Sequence, residues 1–166
     1  MSEQELTSYQ REVGEMPAAL AALVRVYRGD GWEMFEPWRA QAKSSRRVRF
    51  AGMGTSEFAP LLIAGELARA GVDATAHDAG ELLHYPYPGE GLLVLISQSG
   101  ESVETRRLAE KPPFKGPVGA IVNNTDSTVA RAASWFLPMC AGDETAISTK
   151  TYINTLGVLH LMGQAL

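Results

Sequence analysis

The chain has 166 residues, 45% of them hydrophobic and 20% charged. At roughly 150 residues per domain this is one folded unit with enough apolar material for a core, which excludes a disordered chain. The net charge of −4 argues against nucleic acid or an anionic membrane surface as the main partner, since both call for a basic face.

The first 45 or so residues read as a helical arm. Ser2 and Glu5 have capping-box spacing. Leu6, Tyr9, Val13 and Met16 then recur at helical intervals. Pro17 is expected to break this helix or to start the next. Leu20, Leu23, Val24 and Tyr27 continue the apolar stripe until Gly29-Asp30-Gly31 ends it. Trp32, Phe35 and Trp38 suggest a third short helix that packs back onto the body.

From residue 46 the pattern changes to short apolar runs alternating with helical segments. The predicted order is strand 48–51, helix 57–70, strand 72–77, a turn or helix at 81–84 and strand 92–96. Helix 101–110, strand 118–122, helix 127–133, a weak strand 135–138 and a helix from 149 onward complete it. The run Leu92–Ile96 is continuously apolar, as a strand buried on both faces requires. Repeated units of this kind imply a parallel sheet between helices, a three-layer α/β/α sandwich spanning 46–166. The last helix is apolar on more than one face and carries no glycine cap. It is expected to be covered by a partner subunit or by further chain.

Single residues narrow the chemistry further. Cys140 is the lone cysteine, so neither an internal disulfide nor a CxxC metal site can form, and a reducing cytoplasm fits. No apolar run approaches the roughly 20 residues of a membrane span, and the opening MSEQELTSYQRE is too polar for a signal peptide. Three histidines and one cysteine argue against a zinc site. Only four of the 15 basic residues are lysines, so any phosphate ligand would have to be held mostly by other groups.

In an open parallel sheet, ligands bind beyond the carboxyl ends of the strands. Three loops there are rich in Gly, Ser, Thr or Asn: 52–56, 97–102 and 123–127. The middle one, Ser97-Gln98-Ser99-Gly100-Glu101-Ser102, places three hydroxyls and a glycine at a helix N-terminus. Hydroxyls and unpaired backbone N–H groups can converge there on one anion, with no lysine needed. A simple N-cap would need only one serine and would leave Gln98 without a role. Gly52-Met53-Gly54 begins a dinucleotide fingerprint, but Glu57 stands where glycine or alanine is wanted and would repel a pyrophosphate. No cofactor is therefore implied. The remaining reading of that loop is a tight turn that sets Thr55 and Ser56 beside the ligand.

Glu144 and Lys150, with Asp143, lie in a polar loop after the last strand. They are the weak candidates for proton transfer, against an equally good reading as a capping and salt-bridging loop. His77 and His84 read as satisfied or solvent-facing, and His160 as buried or at an interface. Arg46, Arg47 and Arg49 read as a solvated strand entry, and Cys140 as core. No GxSxG elbow is present.

These residues carry a family resemblance. Ser97–Ser102 closely resembles the SQSGET loop of the sugar isomerase (SIS) domain family. Within it, the chain is similar to the first SIS domain of the isomerase part of the glutamine:fructose-6-phosphate aminotransferases. Gly54-Thr55-Ser56 matches that family's CGTS loop, with Met53 in place of the cysteine. Ser148-Thr149-Lys150 matches its STK segment, after a shortened stretch from Gly142 to Ala146, and Glu15-Met16-Pro17 resembles its E-Q-P.

The resemblance implies a flavodoxin-like fold, a five-stranded parallel sheet of order 2-1-3-4-5. It implies phosphate contacts from Ser97, Gln98, Ser99, Gly100 and Ser102, sugar and phosphate contacts from Gly54, Thr55 and Ser56, and a backbone contact from Ala146. It implies a phosphorylated hexose or amino sugar as ligand, and a homodimer or a second SIS domain as partner. The family's general base, lysine and histidine come from that second domain or a neighbouring subunit, so the catalytic residues are unassigned. The N-terminal cysteine nucleophile and glutaminase domain are absent, so glutamine-dependent amination is not implied. The expected function is ring opening and C1–C2 proton transfer in an isomerase- or deaminase-type enzyme; the alternative is a non-catalytic sugar-phosphate-sensing module.

Overall fold

The computed structural model describes residues 6–86, 89–145 and 147–166. Five parallel strands, β1 (Arg47–Gly52), β2 (Asp73–Asp78), β3 (Leu92–Ser97), β4 (Val118–Val122) and β5 (Trp135–Pro138), form one sheet in the order β2-β1-β3-β4-β5. Central β3 is buried along its whole length. Its side chains alternate: Leu92, Val94 and Ile96 enter one core, Leu93 and Leu95 the other.

One face is covered by α5 (Ala79–His84), α6 (Val103–Glu110) and α7 (Thr128–Ala132). The other carries α4 (Leu61–Arg69), α8 (Lys150–Gln164) and the whole N-terminal arm: α1 (Ser8–Tyr27), a 3-10 segment Gly29–Phe35 and α2 (Glu36–Ser44). The arm is built into this core. Phe35 and Trp38 are fully buried, and the Trp38 indole N–H donates to the Met162 carbonyl at 2.9 Å. The Tyr27 hydroxyl donates to the Pro138 carbonyl at 2.8 Å.

Several expectations change. The Ser2/Glu5 box lies outside the described residues. Within them Thr7 caps α1, accepting from Gln10 N–H at 3.2 Å while the Gln10 side chain accepts from Thr7 N–H at 2.9 Å. Pro17 does not end the helix. Contacts on either side hold α1 together across it: Glu12 accepts from Thr145, and the Ala19 carbonyl accepts from the Asn154 amide at 3.0 Å. The segment expected to be one helix over 57–70 is instead a single turn, α3 (Thr55–Phe58), followed by α4, because Pro60 interrupts it.

The apolar surface of α8 is covered largely within the chain. Val158, Leu159 and Met162 are buried, and Tyr152, Leu156 and Leu161 pack against the same core as Leu23 and Tyr27 of α1. His160 is exposed. Cys140 is only half-buried and takes a left-handed backbone, φ 55°.

Arg49 departs most from expectation. It is buried rather than solvated. Its guanidinium grips Asp73 with N–O distances of 2.9 and 3.0 Å and donates to the Asp73 carbonyl at 2.8 Å. Arg47, directly opposite Asp73 in the β1–β2 register, adds a bond of 3.0 Å. Arg46 is exposed as expected. The Arg49 hydrogen bond, with help from Arg47, lowers the Asp73 carboxyl to about 2. A depressed carboxylate contributes stability above its unfolded value, about 4. That contribution should disappear as pH falls from about 4 toward 2. Urea midpoints measured against pH should show the gap between the parent and Asp73→Asn closing over that interval.

Candidate functional site

Strand register places the carboxyl ends in one row: Gly52 opposite Ile96, Ser97 opposite Val122, and Val122 opposite Pro138. Four loops therefore emerge side by side.

The loop after β3 is tied by its own hydroxyls. Ser97 Oγ, buried, accepts from Gly100 N–H at 3.0 Å, and Ser99 Oγ accepts from Glu101 N–H at 3.1 Å. A hydroxyl that accepts in this way keeps its own proton to donate. Ser99 is exposed, while Gln98 and Ser102 are half-buried. Ser102 is the N-cap of α6 yet makes no side-chain cap bond; its hydroxyl pairs with that of Thr105. The positive end of the α6 dipole is thus not quenched by a local cap.

Neighbouring loops lock this one in place. The Gln98 carbonyl accepts from Asn123 N–H at 3.3 Å and Asn124 N–H at 3.2 Å. Glu101 accepts from Thr128 N–H at 2.7 Å and from its hydroxyl at 3.0 Å, which lowers the Glu101 carboxyl. Gly100 has φ 65°, and a Cβ there would lie 2.0 Å from Ser127 Oγ.

After β1, Gly54 also needs a positive φ, 56°, to turn the chain into α3. Thr55 is exposed and Ser56 half-buried on that turn. Glu57, the residue that spoils the dinucleotide pattern, has its carboxyl raised by burial and by Asp78 and Glu81.

After β5, Ala146 lies outside the described residues, and the rest of the loop is held from several sides. The Asn123 side chain donates to the Gly142 carbonyl at 2.8 Å and accepts from Ala141 N–H at 2.9 Å. Glu144 turns inward onto the start of α8, accepting from Thr149 N–H at 2.8 Å and Lys150 N–H at 2.7 Å. Burial raises the Glu144 carboxyl, but bonds from Thr151 and Thr149 outweigh it and leave it below the ordinary value. Lys150 is buried. Its ammonium donates to Glu15 and to the Asp143 carbonyl, both at 2.6 Å. The Glu15 bond raises the Lys150 amine against the opposing effect of burial. Both side chains are engaged in holding the loop after β5, the capping and salt-bridging arrangement that the sequence also allowed.

Asn123, Glu101 and Glu12 organise these loops. Asn123 and Glu101 lie in the loops 123–127 and 97–102 that the sequence singles out, with no ligand role expected of either, and nothing in the sequence marks Glu12. An open cleft of about 610 Å³ lies at the opposite edge of the sheet, between Arg46, Glu90 and Lys115. No helix among the described residues is long and apolar enough to cross a membrane.

The SIS domain family model matches residues 42–165. The chain belongs to the SIS domain family. It is 36% identical over 163 residues to a glutamine–fructose-6-phosphate aminotransferase (isomerizing) of Thermotoga maritima, matching 92% of this chain and 27% of that protein. The chain therefore spans about a quarter of that relative's length. In fold it resembles the C-terminal domain of glucosamine-fructose-6-phosphate aminotransferase from Francisella tularensis, with a TM-score of 0.80 and 20% identity over 99% of this chain and 50% of that one. A hypothetical protein of Methanococcus jannaschii, whose structure infers a 3-hexulose-6-phosphate isomerase, superposes with a TM-score of 0.74 and 21% identity, over 93% of this chain and 88% of that one. The sheet order is the one the family resemblance implied, and the N-terminal segment is helical as expected.

Replacing Gly100 with alanine should cost about 2 kcal/mol, the usual penalty for overpacking a filled site, because the new methyl has to displace Ser127. Chemical denaturation of Gly100→Ala checks this.

Proposed function

We propose that this SIS domain binds a hexose phosphate in an aminosugar-phosphate isomerase- or deaminase-type enzyme that works by ring opening and C1–C2 proton transfer. The observation that carries the reading is the Ser97–Ser102 loop. Its serine hydroxyls accept from backbone N–H groups and keep protons to donate, beside a helix start whose cap hydroxyl is turned elsewhere. Ser97, Gln98, Ser99, Gly100 and Ser102 hold the phosphate in this proposal. Gly54, Thr55 and Ser56 contact the sugar and the phosphate in the same proposal, and Ala146 contributes a backbone contact to the sugar. Relatives named for fructose 6-phosphate and hexulose 6-phosphate support a six-carbon ligand.

The domain's contribution is positional. Binding energy from the phosphate orients the reacting carbons, and the base comes from a second SIS domain or a partner subunit. A sugar-phosphate-responsive module without chemistry is the second reading. The commitment of Glu144 and Lys150 to holding the loop after β5 favours it.

Calorimetric titration with fructose 6-phosphate or glucosamine 6-phosphate should give saturable binding, and absence of binding at millimolar ligand would sink both readings. Ser99→Ala, at an exposed hydroxyl, should weaken binding about tenfold, the worth of one hydrogen bond to a charged group, with the denaturation midpoint unchanged. Ser97→Ala is the poorer probe because that hydroxyl is buried, so its loss leaves the Gly100 N–H without a partner or nearby solvent.

A further inference from the structure

The loop from 141 to 149 contains no strand or helix of its own among the described residues, so its shape depends on what grips it. Much of that grip comes from α1, more than 130 residues earlier. Glu12 is a buried carboxylate on a turn whose neighbours Arg11 and Val13 are exposed. One of its oxygens accepts from Thr145 N–H at 2.7 Å and from the Thr145 hydroxyl at 2.9 Å. One turn along, Glu15 holds the Lys150 ammonium, which in turn holds the Asp143 carbonyl. The contact is a polar clamp: a cleft of about 180 Å³ remains between helix and loop, lined by Arg11, Glu12, Glu15, Asp143, Thr145 and Lys150.

Burying a carboxylate is costly, and an apolar side chain of similar size would serve stability as well or better. A buried acid that accepts from a loop backbone is therefore better explained by the loop's geometry than by the fold's stability. The loop continues to the anion-binding segment through a short bonded path. Gly142 is held by the Asn123 side chain, and Asn123 N–H donates to the Gln98 carbonyl.

We infer that α1 is the arm that positions the sugar-side loop, with Glu12 as its positioning residue. Glu12 touches no ligand. It fixes the loop that closes on the carbon end of a sugar phosphate, while the phosphate end is held independently by Ser97–Ser102. This inference rests on the phosphosugar reading above and assigns the discrimination between sugar phosphate and bare phosphate to a contact from the N-terminal arm.

The experiment compares Glu12→Ala and Glu12→Gln with the parent chain in titrations against fructose 6-phosphate and inorganic phosphate. Hydrogen exchange of the segment 141–149 is measured in parallel. Glu12→Ala should weaken fructose 6-phosphate about tenfold, the worth of one charge-assisted hydrogen bond, and leave inorganic phosphate unchanged. Exchange should quicken in 141–149 and not in α6. Glu12→Gln should recover most of the loss, because its amide oxygen still accepts from Thr145 N–H. Equal weakening of both ligands, or none, overturns the inference. A parent that binds neither ligand overturns the phosphosugar reading itself, and the inference with it, whereas failure of the clamp alone leaves parental binding intact. If Glu12→Ala does not fold, Thr145→Val removes the hydroxyl half of the contact. It should cost fructose 6-phosphate about threefold, part of one such bond, and no selective loss there also overturns the proposal.

Discussion

At the carboxyl edge of the sheet the backbone leaves a dry interior all at once. β3 is buried throughout, and the strands on either side of it end in the same row. Polar groups released there need partners immediately, because each one left unpaired and buried costs on the order of 1–3 kcal/mol. The loops supply those partners to one another: Gln98 to Asn123 and Asn124, Asn123 to Ala141 and Gly142, Glu101 to Thr128. The candidate site is made from what this mutual satisfaction leaves over, namely hydroxyl protons and the start of α6.

The scarcity of lysine fits such a site. The cations of the carboxyl-edge loops and the first strands are occupied: Lys150 by Glu15, Arg49 and Arg47 by Asp73. An anion held by hydroxyls and backbone dipoles is held by groups whose positions the fold already fixes, whereas a long cationic side chain must be ordered as it binds.

Features with a local cause were legible in the sequence. The unbroken apolar run of β3, the alternation of strands with helices and the serine-rich turn before α6 follow from burial and helix-end chemistry, and the structure has the parallel sheet they implied, in the order that the family resemblance added. What escaped has causes distant along the chain. Arg49 reads as a strand-entry cation until the register sets β1 beside Asp73. Pro17 reads as a break until α8 is in place to hold the next turn. Glu12 is one of two acids on its helix until Thr145 arrives, 133 residues later. Composition and period carry no trace of such pairings, because each half is unremarkable by itself.

The same long separations govern how the chain comes into being. Trp38 waits for Met162, Tyr27 for Pro138, and Glu15 for Lys150. During synthesis the first helix emerges long before the elements that cover it, with Leu23 and Tyr27 still facing water. Native contacts of this span close late and slowly. α1 and α8 thus form a clasp: removing a few turns from either helix uncovers the core packed against the other, so a piece cut at residue 46 would lose structural walls along with the helices before it.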